Sequence, residues 1–203
     1  MNKIFEFITI DKKELMHVVE LEPKLSDKID FSKPFTVRIM HDHYLCLLHS
    51  IISENETNVN IDSIWHKLFF MFNNVNPKVI ASASKEQLSA NGIANDKISL
   101  IKAITYDIVD KKLKLDKLVK EDTEAIKKIL LKYKGLSEWV IDILLLCSYM
   151  KSDILPFDDP DVKKGLSILY AEQEITKDFI SECKNKFGSN SSMFTFCLWK
   201  INS

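Results

Sequence analysis

Between Lys132 and Leu166 the chain reads KYKGLSEWVIDILLLCSYMKSDILPFDDPDVKKGL, and this stretch restricts the fold more than any other. Just before it, Asp122 or Thr123 can cap a helix that carries Ile126, Ile129, Leu130 and Tyr133 at helical spacing. Gly135 ends that helix, because glycine turns readily into the left-handed conformation that reverses a chain between two helices. Ser137 then caps a second helix. Its apolar positions Trp139, Val140, Ile143, Leu144, Leu145 and Cys147 are numerous enough to make it a core element. Backbone N–H groups at such a turn offer a seat for a phosphate oxygen, and Lys132 and Lys134 flank it.

The following loop delivers two adjacent acids, Asp158 and Asp159, to the start of a third helix. Asp159 before Pro160 is a strong helix start: the carboxylate caps, and proline sits at the first helical position, where a missing N–H is no loss. Taken alone, such a pair is a helix cap and nothing more.

Four Gly and five Pro in 203 residues leave little turn material, which favours long helices with compact connections over many β-hairpins. A hydrophobic content of 46% suffices for one substantial core or for two helical lobes sharing a cleft. The four cysteines, Cys46, Cys147, Cys183 and Cys197, form no CxxC and fall mostly in apolar helical patterns, which points to a reducing compartment. No run approaches the roughly 20 apolar residues of a membrane span, and the N-terminus lacks a basic segment followed by an apolar one. A soluble cytoplasmic protein without a signal peptide is expected. The net charge of −1 by itself argues against a nucleic-acid partner. Between Lys97 and Lys134, however, eleven lysines face six acids. A solvated helix face explains that run equally well, since lysine is abundant throughout and Arg38 is the one arginine.

Elsewhere, residues 1–10 alternate loosely through Ile4, Phe5, Phe7, Ile8 and Ile10, as a short strand or a packed extension would. Asp11–Glu20 and Pro23–Ile29 read as short helices. His41–Ser53 reads as a helix burying Tyr44, Leu47, Leu48, Ile51 and Ile52. Thr57 can cap a helix bearing Ile61, Ile64, Trp65, Leu68 and Phe69, and helices over Ser84–Ala90 and Asn95–Lys111 flank Gly92. His41, His43 and His49 have no cysteine or carboxylate at ligand spacing, so they read as ordinary helix residues, and no metal or cofactor is expected.

Several of these segments resemble the helix-hairpin-helix DNA glycosylase superfamily, in particular its alkylation-repair branch, the 3-methyladenine DNA glycosylase II type. KGLSEWVI at Lys134–Ile141 resembles the hairpin KGIGPWTA, with Trp139 in the matching place, Ser137 for the second glycine and Ile141 for the alanine. DILPFDDPDVKKGL at Asp153–Leu166 resembles DVFPVDDLGVRKGL. Leu88–Ile104 resembles LxxxGLSxxKxxxIxxxA, with Gly92 and Lys97 in place, and ELEPKLSDKI resembles the opening DPxLAxxI. Phe187–Trp199 keeps the spacing of a closing WxPxRSxAxxYLW helix, with Ser189, Ser191 and Cys197 for its Pro, Arg and Tyr. The resemblance runs from Pro23 to Trp199.

It implies an all-α fold of two helical lobes with a helix-hairpin-helix motif and an active-site cleft between them. The whole chain, 1–203, would be a single domain, with an unassigned extension at 1–22, the hairpin motif at 122–150 and the catalytic loop and helix at 151–170. The implied activity is base-excision repair: hydrolysis of the N-glycosidic bond of a damaged, N-alkylated base in double-stranded DNA. Asp159 would be catalytic, and Trp139, Phe157 and Asp158 would line the base pocket. Lys132, Lys134, Gly135, Leu136, Ser137, Asn55 and Lys97 would meet DNA. Asn55 falls in the turn Ser53–Thr57, which the family fills with GQQxS and wedges into the duplex. Bifunctional relatives place a lysine where this chain has Trp139, so a monofunctional enzyme is implied. The iron–sulfur cluster of the endonuclease III branch would have no ligands here, and the protein would act as a monomer without a membrane partner. Two other readings are a glycosylase for oxidised or deaminated bases and a non-catalytic helix-hairpin-helix module that binds DNA or protein.

Overall fold

The computed structural model describes residues 5–171 and 174–202; Ile4 of the alternating N-terminal pattern lies outside them. In chain order the elements are β1 (Glu6–Thr9), α1 (Lys12–Leu21), a 3-10 turn (Pro23–Asp27), β2 (Thr36–Ile39), α2 (His43–Ser53), α3 (Asn58–Phe72), α4 (Pro77–Ser82), α5 (Lys85–Ala90), α6 (Asn95–Val109), α7 (Leu115–Leu118), α8 (Thr123–Leu130), α9 (Glu138–Cys147), α10 (Pro160–Tyr170), α11 (Lys177–Phe187), a second 3-10 turn (Gly188–Asn190) and α12 (Ser191–Ile201). The all-α expectation holds, with one addition. The alternating N-terminus forms a two-stranded antiparallel ribbon in which Phe7 lies opposite Arg38. Among the described residues no helix is long and apolar enough to cross a membrane.

Most helix starts follow from side-chain caps. Asp11, Asp42, Thr57, Asn76, Asp122 and Thr176 each accept a hydrogen bond from a backbone N–H in the first turn of the helix they precede, and Ser84 forms a capping box with Gln87. Because Asp42 is the cap, α2 begins at His43 rather than at His41. Two helices end earlier than their apolar spacing suggests. Lys111 takes φ +62°, so α6 stops at Val109. The helix expected to run through Tyr133 stops at Leu130; Tyr133 lies in the turn, where its hydroxyl donates to Asp107 (2.9 Å). The short α4 and α7 and the polar α11 were not apparent from apolar spacing.

The chain forms two compact units, Met1–His41 with Leu145–Ser203, and Asp42–Leu144. In the first, Phe187 and Phe194 stack 3.7 Å apart, both fully buried. Helix α10 packs on α12 at Gly165, where a Cβ would stand 2.7 Å from the Leu198 carbonyl oxygen. Gly165→Ala should therefore destabilise the protein by about 1–3 kcal/mol through overpacking, despite a gain of up to about 1 kcal/mol in helix propensity. A urea titration reads the difference as a lower midpoint.

In the second unit, α6 supplies the buried residues Ile98, Ile101, Ile104 and Thr105. The Thr105 hydroxyl hydrogen-bonds that of Tyr44 (2.9 Å). Lys102, also buried, donates to the carbonyls of Ile80 (3.2 Å), Ala81 (2.6 Å) and Ala83 (2.6 Å), closing the end of α4. His49 stacks on Trp65 and bonds Ser53, the role of a core histidine. All four cysteines are buried, and burial pushes the thiols of Cys147 and Cys197 up to about 12. They behave as small hydrophobes.

Candidate functional site

The first unit builds its site on the acid at the head of α10. Asp159 is 4% exposed, and its Oδ1 accepts two hydrogen bonds: from the Val162 N–H (2.8 Å), the ordinary capping bond, and from the Trp199 Nε1–H of α12 (3.0 Å). A side chain serving only as a cap does not need the second donor. Two N–H groups converging on one oxygen fix the plane of the carboxylate and leave it little rotational freedom.

The loop before this acid is strapped to the same helix. Ser192 Oγ accepts from the Ile154 N–H (2.9 Å) and donates to the Lys151 carbonyl (2.6 Å), the Ser192 N–H donates to the Ser152 carbonyl (3.0 Å), and Thr195 Oγ1 donates to the Ile154 carbonyl (2.8 Å). Helix α12 thus holds both the approach to Asp159 and the carboxylate itself. Trp199 is not among the candidate site residues of the sequence: it only closes the Phe187–Trp199 resemblance, and nothing local in the sequence ties its indole to an acid 40 residues away.

Phe157 and Asp158 immediately precede the acid in the loop. The Phe157 ring faces two ammonium groups, Lys163 Nζ at 4.3 Å and Lys177 Nζ at 4.8 Å from its centre. Asp158 is exposed and pairs with the same Lys163 (3.6 Å). The two residues therefore stand in a lysine-rich surface beside Asp159.

In the second unit the hairpin turn joins α8, which ends at Leu130, to α9. Gly135 takes φ +95°, is exposed, and has open space where a Cβ would stand, so its left-handed backbone and not crowding requires glycine. Ser137 Oγ accepts from the Val140 N–H (3.2 Å) and starts α9 as a cap. Lys132 and Lys134 are exposed beside the turn. Leu136 is 5% exposed, which leaves only its backbone to meet a ligand. Lys127 of α8 and the buried Asp142 of α9 pair at 2.7 Å and tie the two hairpin helices together. Trp139 is partly exposed in the first turn of α9.

Asn55 lies exposed at the tip of the α2–α3 turn with φ +58°. Lys97 donates from its ammonium to the carbonyls of Ile52 (2.9 Å) and Glu54 (2.6 Å), with the Glu56 carboxylate at 3.6 Å. It serves this turn because the last carbonyls of α2 have no partners within the helix.

No protein-family model matches the chain. DNA-3-methyladenine glycosylase of Saccharomyces cerevisiae is 18% identical, over 92% of this chain and 78% of that protein. Among solved structures, Schizosaccharomyces pombe 3-methyladenine DNA glycosylase in complex with abasic DNA superposes with a TM-score of 0.80 at 19% identity, over 93% of this chain and 96% of that one. The Clostridium acetobutylicum 8-oxoguanine glycosylase/lyase in complex with double-stranded DNA gives 0.78 at 20% identity, over 94% and 69%. At these identities, what the chain shares with the solved structures is the fold.

Proposed function

We propose that this chain, which has the fold of the helix-hairpin-helix DNA glycosylases, is a DNA glycosylase that hydrolyses the N-glycosidic bond of a damaged, N-alkylated base. The observation that carries the reading is Asp159: an acid buried at a helix head, its carboxylate plane held by Val162 N–H and Trp199 Nε1–H. Breaking a glycosidic bond leaves positive charge on the sugar, and a fixed carboxylate beneath it stabilises that charge and orients the attacking water. The base must first leave the stack, at a cost of roughly a few kcal/mol that is smallest for a damaged pair. An alkylated purine is already cationic and departs without a strong general acid. Trp199 is the positioning residue in this scheme, and Trp139, Phe157 and Asp158 remain the candidates for contact with the base.

A panel of duplexes bearing alkylated, oxidised and deaminated bases, scored for free base and for abasic sites, tests the proposal. Release confined to oxidised or deaminated bases would overturn the alkylated-base assignment, and no release from any would overturn the enzyme.

Lys132, Lys134 and the hairpin backbone are proposed to hold phosphate. Each neutralised phosphate releases counterions, so affinity should fall steeply with salt, and Lys132→Ala with Lys134→Ala should reduce the slope by roughly 0.9 per lost contact. Lesion preference should hardly change, since phosphate contacts position without specifying. An unchanged slope would make the two lysines a solvated face.

The proposed enzyme is monofunctional, with water as nucleophile. A lyase needs an amine to attack the sugar and form a Schiff base, and Trp139 in the first turn of α9 has none. Borohydride added during reaction with lesion DNA should trap no covalent complex, and strands should break only after alkali. A trapped adduct lost on replacing Lys163 or Lys177, the lysines beside Asp158 and Phe157, would reverse this assignment.

A further inference from the structure

Lys97 is an expensive way to finish a helix. The last carbonyls of α2 lie at a turn where water would serve them at little cost. Instead a lysine from α6 reaches them from 43 and 45 residues along the chain, with its side chain 15% exposed and its ammonium engaged by the Ile52 carbonyl, the Glu54 carbonyl and the Glu56 carboxylate. The last two belong to the residues immediately before and after Asn55. Glu56 is held further by Asn60 Nδ2 (3.3 Å), and Thr57 caps α3 directly behind it. A single part-buried cation therefore grips both sides of one exposed residue, and that residue has left-handed backbone, which asparagine adopts more readily than most residues other than glycine. The pairing also removes Glu56 as a free negative charge at the tip.

We infer that Lys97 is a positioning residue whose ammonium holds the 53–57 turn rigid, so that Asn55 is presented as a preformed probe to a nucleic-acid duplex. The inference rests on the proposed glycosylase reading for its partner and adds the device that makes the turn stiff enough to enter a stack. A flexible tip would lose conformational entropy on insertion, whereas a tip fixed beforehand has already lost it. This role differs physically from a phosphate contact, because a lysine saturated by two carbonyls and a carboxylate releases no counterion from DNA.

The test uses a duplex with a tetrahydrofuran abasic analogue opposite 2-aminopurine, whose fluorescence rises when the base unstacks. The unaltered protein should brighten it. Lys97→Met combined with Glu56→Gln leaves the local charge unchanged; it should bind with the original salt dependence but lose roughly fivefold or more of the brightening, because the cost of unstacking is no longer met by a rigid tip. Asn55→Gly keeps the lysine and tolerates positive φ, and should show the same loss. Lys97→Arg replaces a compact ammonium by a planar fork and should lose part of it, whereas a phosphate contact would be served as well by arginine. Lys102→Met, which removes the comparable lysine at the end of α4, controls for lost stability and should leave brightening in place. Full brightening in the double variant or in Asn55→Gly overturns the inference. So does a salt slope reduced by about 0.9, an equal loss in Lys102→Met, or no brightening by the unaltered protein. Base release from a 7-methylguanine duplex is scored separately, so brightening without release would sink the glycosylase reading and leave the role of Lys97 standing.

Discussion

Asp159→Asn should leave the fold and DNA binding intact while lowering base release by at least about 10³-fold, the order expected when the principal electrostatic stabiliser of a transition state is removed. Asparagine caps a helix about as well as aspartate. Its carbonyl oxygen can still accept from the Val162 N–H and from Trp199 Nε1–H, so neither donor is stranded. What disappears is the negative charge. Single-turnover release of a labelled base, with a thermal melt and a DNA titration as controls, separates the two roles. Substantial activity in the variant would reduce Asp159 to a helix cap.

The second large effect is expected at Trp199. Replacing it with Phe keeps an aromatic ring to pack edge-on against Phe196, with which Trp199 makes a 5.6 Å contact, but removes the N–H that reaches Asp159. The carboxylate keeps its capping bond and gains freedom to rotate. Misplacing a reacting group on that scale costs about 10- to 100-fold. The loss should appear in kcat with KM little changed, because the indole acts on the carboxylate rather than on bound DNA. Trp199→Phe should therefore lose less than Asp159→Asn. An unchanged kcat would make the indole a packing residue, and a loss confined to KM would place it against the substrate instead.

The features legible in the sequence are those made between near neighbours. Asp122, Ser137 and Asp159 each meet a backbone N–H three residues on, and Gly135 solves its turn through its own φ. Such interactions are encoded in type and spacing, so the hairpin and the acid at the head of α10 can be named before any coordinates are known. The early end of α8 shows the limit even there. Apolar spacing carries the pattern to Tyr133, but the Tyr133 hydroxyl is drawn to Asp107 on α6, a partner in another helix.

The residue types, the caps and the candidate acid were therefore determined by the sequence alone. The tertiary structure alone decided which distant groups act on them. It brought the Trp199 indole to Asp159 across 40 residues, turned Lys97 inward to the α2–α3 turn, set two ammonium groups against Phe157, and pressed Gly165 against the Leu198 backbone. The physical reason is range. A cap is fixed by backbone geometry within one turn, whereas the partner of a long side chain is fixed by which helices pack together, and that depends on the burial of the whole apolar surface at once.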